Sequence, residues 1–149
     1  MPLVRIDHAQ DHPEGFGRAV GEIVYRAMME EISVPADDKF QIITTHQANE
    51  INIPKSYLGI EYTQGIVFIQ ITLNAGRTVE LKKKFYHRIA NDLHAELKVR
   101  KEDVRLVMVK CSMDRRSERK FLLYCLLGAG VSIICVSKRH AYLPVFCNV

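Results

Sequence analysis

Three residues of this chain are of the types that move protons on a small anion: Pro2, Arg77 and Asp38. Proline stands second, at the head of the alternating segment Pro2-Leu3-Val4-Arg5-Ile6-Asp7. Trimming the initiator methionine would leave its secondary amine as the α-amino group. Such a group titrates near about 8 in water. An apolar pocket or a neighbouring cation disfavours its charged form, so a neutral nitrogen near pH 7 could serve as general base. Arg77 lies in Asn74-Ala75-Gly76-Arg77-Thr78, between an apolar segment and a helix that Thr78 is placed to cap. A guanidinium there binds a carboxylate through two parallel hydrogen bonds, and the helix N-terminus adds positive potential. Asp38 sits in the turn Val34-Pro35-Ala36-Asp37-Asp38, where an acid either caps backbone or acts on a ligand.

These residues need a scaffold, and an internal repeat supplies one. At an offset of 65 positions, Leu3-Val4-Arg5-Ile6-Asp7 falls over Phe68-Ile69-Gln70-Ile71-Thr72, apolar on apolar. Val20, Val24, Met28 and Ile32 then fall on Phe85, Ile89, Leu93 and Leu97, two stripes at four-residue spacing that each bury one helix face. Residues 34–43 fall on 99–108, a turn followed by another apolar strand. Each half, about 2–46 and 67–110, therefore reads strand, helix, strand. A crossover helix between strands of one sheet favours a parallel, right-handed unit, so the expected fold is α+β: a tandem β-α-β repeat with a four-stranded sheet and both helices on one face. The strands are apolar on both sides, which predicts that the uncovered face is buried against other subunits of a homo-oligomer. Residues 47–64 read as a connecting loop with a short strand.

The repeat also separates scaffold from site. Pro2 is matched by Val67 and Arg77 by His12, so neither proline nor arginine is required to build its half. Asp38 is matched by Asp103, which leaves a capping role and a functional role both open. The six histidines form no metal-ligand pattern and read as surface or satisfied side chains, Lys82-Lys83-Lys84 reads as the solvated face of the second helix, and Tyr57, Tyr62 and Tyr86 as pocket or core edge.

At 149 residues with 48% hydrophobic content the chain suits one domain with a real core. A formal charge of +4, spread along the chain without a basic run interleaved with aromatics, favours a small anionic ligand over nucleic acid. Four cysteines without C-x-x-C spacing suggest neither a metal site nor a disulfide framework. Arg5, Asp7 and His8 interrupt the start before a signal-type apolar stretch can develop, which makes the cytoplasm the expected location.

The segments at 2–7, Val34-Pro35-Ala36-Asp37-Asp38-Lys39-Phe40-Gln41, Tyr57-Leu58-Gly59-Ile60-Glu61 and 69–78 together resemble the tautomerase superfamily, with its 4-oxalocrotonate tautomerase-like fold. Within it they are similar to the longer-chain group that includes malonate semialdehyde decarboxylase. The resemblance covers about residues 1–110 and implies a trimer of β-α-β-β-α-β subunits. It assigns the acid–base role to Pro2, carboxylate binding to Arg77 and an acidic role to Asp38. The implied activity is tautomerisation of a small 2-oxo or enol carboxylate with no cofactor. A cofactor-free decarboxylase or hydratase of a 3-oxo acid, or a trimeric binding protein without turnover, are the alternatives. The decarboxylase pattern has two arginines in the loop where this chain has only Arg77. After Val109 the family continues through a tryptophan-serine-phenylalanine-glycine motif, whereas this chain has no tryptophan. Residues 111–149 are therefore a divergent tail. Its charge-free stretch 121–136 is short of the roughly 20 residues of a membrane span and reads as a strand or helix against the core.

Overall fold

The computed structural model describes residues 2–111, 121–127 and 130–136. Strand β1 (Leu3–Ala9) alternates as its sequence does, burying Val4, Ile6 and His8 while Leu3 and Arg5 stay exposed. Helix α1 (Phe16–Ile32) turns the predicted stripe inward, with Val20, Val24, Met28 and Ile32 all buried. Strand β2 (Gln41–His46) returns parallel to β1, pairing Val4 with Gln41. The connection between the halves carries a two-residue hairpin, β3 (Ser56–Tyr57) and β4 (Ile60–Glu61). The second half repeats the plan with β5 (Val67–Asn74), α2 (Val79–Leu97), a 3₁₀ turn at Lys101–Asp103 and β6 (Val104–Cys111). Thr78 caps α2 as expected, its hydroxyl accepting from the Leu81 N–H at 3.3 Å.

β5 and β6 are parallel, and the halves join through an antiparallel β1–β5 pair in which Leu3 faces Thr72. The sheet order is β2-β1-β5-β6-β7-β8. The expected four strands are thus present, but the sheet has six. Residues of the tail form β7 (Phe121–Leu127) and β8 (Gly130–Val136), which extend it antiparallel from β6. A charge-free apolar stretch broken near its middle by glycine folds back as paired strands more readily than it continues as one span. Among the described residues no helix is long and apolar enough to cross a membrane. The rest of the tail, 112–120, 128–129 and 137–149, lies outside the described residues.

One core joins both helices to one face of the sheet. Val4, Ile6, Val67, Ile69, Ile71, Leu73, Leu106 and Met108 from the strands meet Val20, Val24, Met28, Phe85, Tyr86, Ile89 and Leu93 from the helices. Burying each of these larger side chains contributes about 1.5–3 kcal/mol. Ion pairs stitch α1 to α2 on the outside, including Arg88–Glu30 at 2.9 Å, Lys84–Glu31 at 2.8 Å and Arg26–Glu96. Being solvated, such pairs contribute about 0–1 kcal/mol each, so the apolar stripes decide the helix pairing.

Candidate active site

Strand register places all three chemically suited residues at one end of the sheet. One residue before the Leu3–Thr72 pair, Pro2 stands beside Leu73, near the end of β5. It is buried, so its ring is packed rather than fraying with the terminus. Because β2 runs parallel to β1, the turn that carries Asp38 enters at this same end, and Val4 donates its N–H to the Phe40 carbonyl at 2.9 Å. That turn is anchored to α1: the Tyr25 hydroxyl donates to the Ala36 carbonyl, Lys39 pairs with Glu22, and the Lys39 ammonium lies 4.9 Å from the Tyr25 ring centre. Asp38 itself closes the turn, donating its N–H to the Pro35 carbonyl at 3.1 Å.

Arg77 follows the end of β5. Gly76 makes the turn possible with φ 119°, a backbone region that side-chain-bearing residues rarely adopt. The Arg77 Nη1 donates to the Asn74 carbonyl at 2.9 Å, which fixes the guanidinium against the strand end. Its Nε is buried and has no hydrogen-bond partner among the described residues. A donor held in this way is ready for an acceptor supplied by a ligand.

Asp103, the repeat counterpart of Asp38, does a different job. Its carboxylate accepts from the Thr63 N–H at 2.9 Å and the Thr63 hydroxyl at 2.7 Å, and it is almost fully buried. The two halves run antiparallel, so the equivalent turns fall at opposite ends of the sheet, with Asp103 beside the start of β5 and Asp38 beside Pro2.

The lysine run departs from its sequence reading. Lys82 is 4% exposed and lies on the same buried stripe as Phe85, Tyr86, Ile89 and Leu93, while Lys84 pairs outward with Glu31. The signal was available in the spacing 82, 85/86, 89, 93, but three consecutive lysines obscured it. Burial lowers the Lys82 pKa, and the neighbouring Lys110 and then Arg77 lower it further.

The histidines fall largely as expected, the tyrosines less so. His8 is held by the Ala9 carbonyl, His46 by Asp7 and His94 by the Val99 carbonyl. Tyr86 belongs to the core, Tyr57 is exposed, and Tyr62 lies under Arg105, 4.3 Å from the ring centre. At the end of the sheet opposite Pro2, His12 stacks on Phe16 with ring centres 3.8 Å apart, and its pKa is lowered by burial and by the adjacent His8. A depression of about 410 Å³ lies on the helix-free face, lined by Arg5, Asp7, His46, Phe68, Gln70 and Arg105 among others. It is centred several residues along β1 from Pro2 and does not include the three candidate residues. Among the described residues no cluster of three His, Cys, Asp or Glu side chains could hold a metal ion.

Comparison with known proteins assigns the fold and the family together. The Tautomerase_2 family model, described as tautomerase enzyme, matches residues 38–123. "Probable tautomerase YusQ" of Bacillus subtilis (strain 168) is 38% identical over 108 residues, 72% of this chain and 85% of the relative. "Probable tautomerase YrdN" of the same organism is 27% identical over 110 residues, 74% of this chain and 84% of its own length. Among solved structures, FG41 malonate semialdehyde decarboxylase inhibited by 3-bromopropiolate superposes with a TM-score of 0.67 at 31% identity, over 77% of this chain and 91% of that one. The fused 4-OT symmetric trimer shares the fold, with a TM-score of 0.61 at 21% identity, over 78% and 94% of the two chains. With its doubled β-α-β scaffold and this match over more than half its length, the chain belongs to the tautomerase family of enzymes.

Proposed function

We propose that the enzyme tautomerises a small 2-oxo or enol carboxylate, with Pro2 as the proton-transfer group and Arg77 as the carboxylate clamp. The observation that carries this reading is the convergence of the buried second-position Pro2, a strand-end arginine with a buried donor that has no partner among the described residues, and the Asp38 turn at one end of the sheet. Neutral Pro2 takes a proton from the enol hydroxyl or an adjacent carbon and returns it at the other position. Arg77 holds the carboxylate and stabilises the enolate charge that develops between the two transfers. Lys82, Lys110 and Arg77 give this end a positive field, which attracts an anionic substrate. We also propose a homotrimer, in which other subunits cover the helix-free face and exposed apolar residues such as Phe40 and Ile42.

The likeness to malonate semialdehyde decarboxylase supports a second reading, decarboxylation or hydration of a 3-oxo acid with Asp38 activating water. That chemistry needs Pro2 protonated, the opposite charge state from tautomerisation.

The test is ketonisation of phenylenolpyruvate by protein whose mass shows that Met1 is gone, alongside Pro2→Ala and Arg77→Ala. Both variants are expected to lose most activity while staying folded. Carbon dioxide release from malonate semialdehyde without ketonisation favours the second reading, and a folded, mature but wholly inactive protein overturns both.

A further inference from the structure

Position 82 differs in character between the two halves of the scaffold. Its counterpart is Gly17, where a Cβ would meet Ile43 Cγ2 at 2.5 Å and His8 Nε2 at 2.6 Å, so the first half leaves no room for any side chain there. The second half puts a lysine in that place and buries it. The fold therefore does not need a cation at this site. The same asymmetry holds for the neighbours, since Thr45 matches Lys110 and His12 matches Arg77.

No acidic group among the described residues bears on this cation. The charges among the described residues that bear on Lys82 are positive, Lys110 on β6 and Arg77 in the loop before α2. A buried ammonium costs folding energy unless it is paired, loses its proton, or meets a ligand of opposite charge. The register states where such a ligand would sit. Lys110 pairs with Leu73, and Leu73 stands beside Pro2, so Pro2, Leu73 and Lys110 form one row across three strands. Lys110 and Arg77 are both partly exposed, so the cluster opens to solvent at the sheet end.

We infer that Lys82, backed by Lys110, is a second carboxylate-binding residue, so that the anion of the substrate lies between Arg77 and helix α2 at the Pro2 end of the sheet. In this arrangement the helix supplies the second cation that the loop, with one arginine, lacks. The inference rests on the tautomerase reading for the identity of the anion. It adds a proton linkage: binding of a carboxylate draws Lys82 into its charged form, so affinity falls as pH rises past the point at which the free enzyme gives up that proton. Among the described residues the charged groups that bear on Lys82 are Lys110 from β6 and Arg77 from the loop, and Pro2 lies on the row of Leu73 and Lys110 at the sheet end.

The experiment uses the full chain and trans-cinnamate, a carboxylate without the enol that reacts, with binding followed by NMR titration between pH 6 and 9. Lys82→Met is expected to weaken binding at least tenfold and to flatten the pH dependence relative to wild type. Lys82→Arg should keep most of the affinity without the alkaline loss, and Lys84→Met should behave as wild type. In phenylenolpyruvate turnover Lys82→Met should raise KM and leave kcat within a fewfold. Cinnamate affinity unchanged in Lys82→Met, or an equal pH slope in that variant and wild type, overturns the inference. Wild type that ketonises the enol while Lys82→Met is neutral leaves the tautomerase reading standing without this subsite. Lys82-dependent cinnamate binding without turnover leaves the subsite standing without the activity, and neither binding nor turnover overturns both.

Discussion

Replacing Asp103 by alanine should damage the fold, whereas the same change at its repeat counterpart Asp38 should damage the chemistry. The Asp103 carboxylate accepts two hydrogen bonds from Thr63, at 2.9 and 2.7 Å, and its side chain is 2% exposed. Hydrogen bonds to a charged group contribute about 1.5–3 kcal/mol each. Part of that is returned in the variant, because the buried charge disappears and Thr63, which is exposed, regains water. A net loss of about 2–3 kcal/mol is expected for Asp103→Ala. Urea unfolding followed by circular dichroism measures it, with all proteins at one concentration so that assembly does not shift the midpoints. Asp38→Ala should lie within about 1 kcal/mol of wild type, since it loses an acid in a partly exposed turn, while its activity falls at least tenfold. The reasoning is refuted if Asp103→Ala unfolds at the wild-type midpoint, or if the two variants lose stability equally and Asp38→Ala keeps full turnover.

Other changes probe the positions that hold the site. Gly17→Ala forces a methyl into Ile43 and His8, so it should destabilise by about 1–3 kcal/mol in the same urea experiment. Gly76→Ala meets no atom within 4 Å but must keep φ 119° or move the loop; a drop in kcat/KM larger than any drop in stability is expected, because Arg77 is displaced. For His12, whose pKa is lowered in the folded state, the unfolded chain binds the extra proton first as pH falls. Stability should therefore decrease as pH falls from 6.5, the ordinary histidine value, through the lowered one. Thermal melts of His12→Phe, which keeps a ring on Phe16, should show a flatter profile over that window than wild type.

The doubled strand–helix–strand plan was legible because both helices and the first strand of each half, β1 and β5, carry their period in apolar residues, and the two copies corroborate each other. Val20, Val24, Met28 and Ile32 could hardly all face inward by accident when Phe85, Ile89 and Leu93 do so at the same offset. The strands β7 and β8 were not distinguished from a helix, since a continuous apolar run carries no period. Lys82 was missed because composition in a short run outweighed position on the helix. The ambiguity of Asp38 and Asp103 had a topological cause. Sequence alignment of the halves makes the two turns equivalent, and only the antiparallel joining of β1 to β5 reveals that they lie at opposite ends of the molecule.

That antiparallel joining also bears on stoichiometry. The pseudo-symmetric chain has two sheet ends, each with two parallel strand termini and the start of a helix, so a doubled fold offers two places for a pocket. The basic nitrogen proposed here exists only because Pro2 can become a chain terminus, and its counterpart Val67 lies within the chain, where its nitrogen is an amide. No side-chain exchange in the second half can create another such amine. Active-site titration should therefore count one centre per polypeptide, three in a trimer, even though the architecture repeats twice in every subunit.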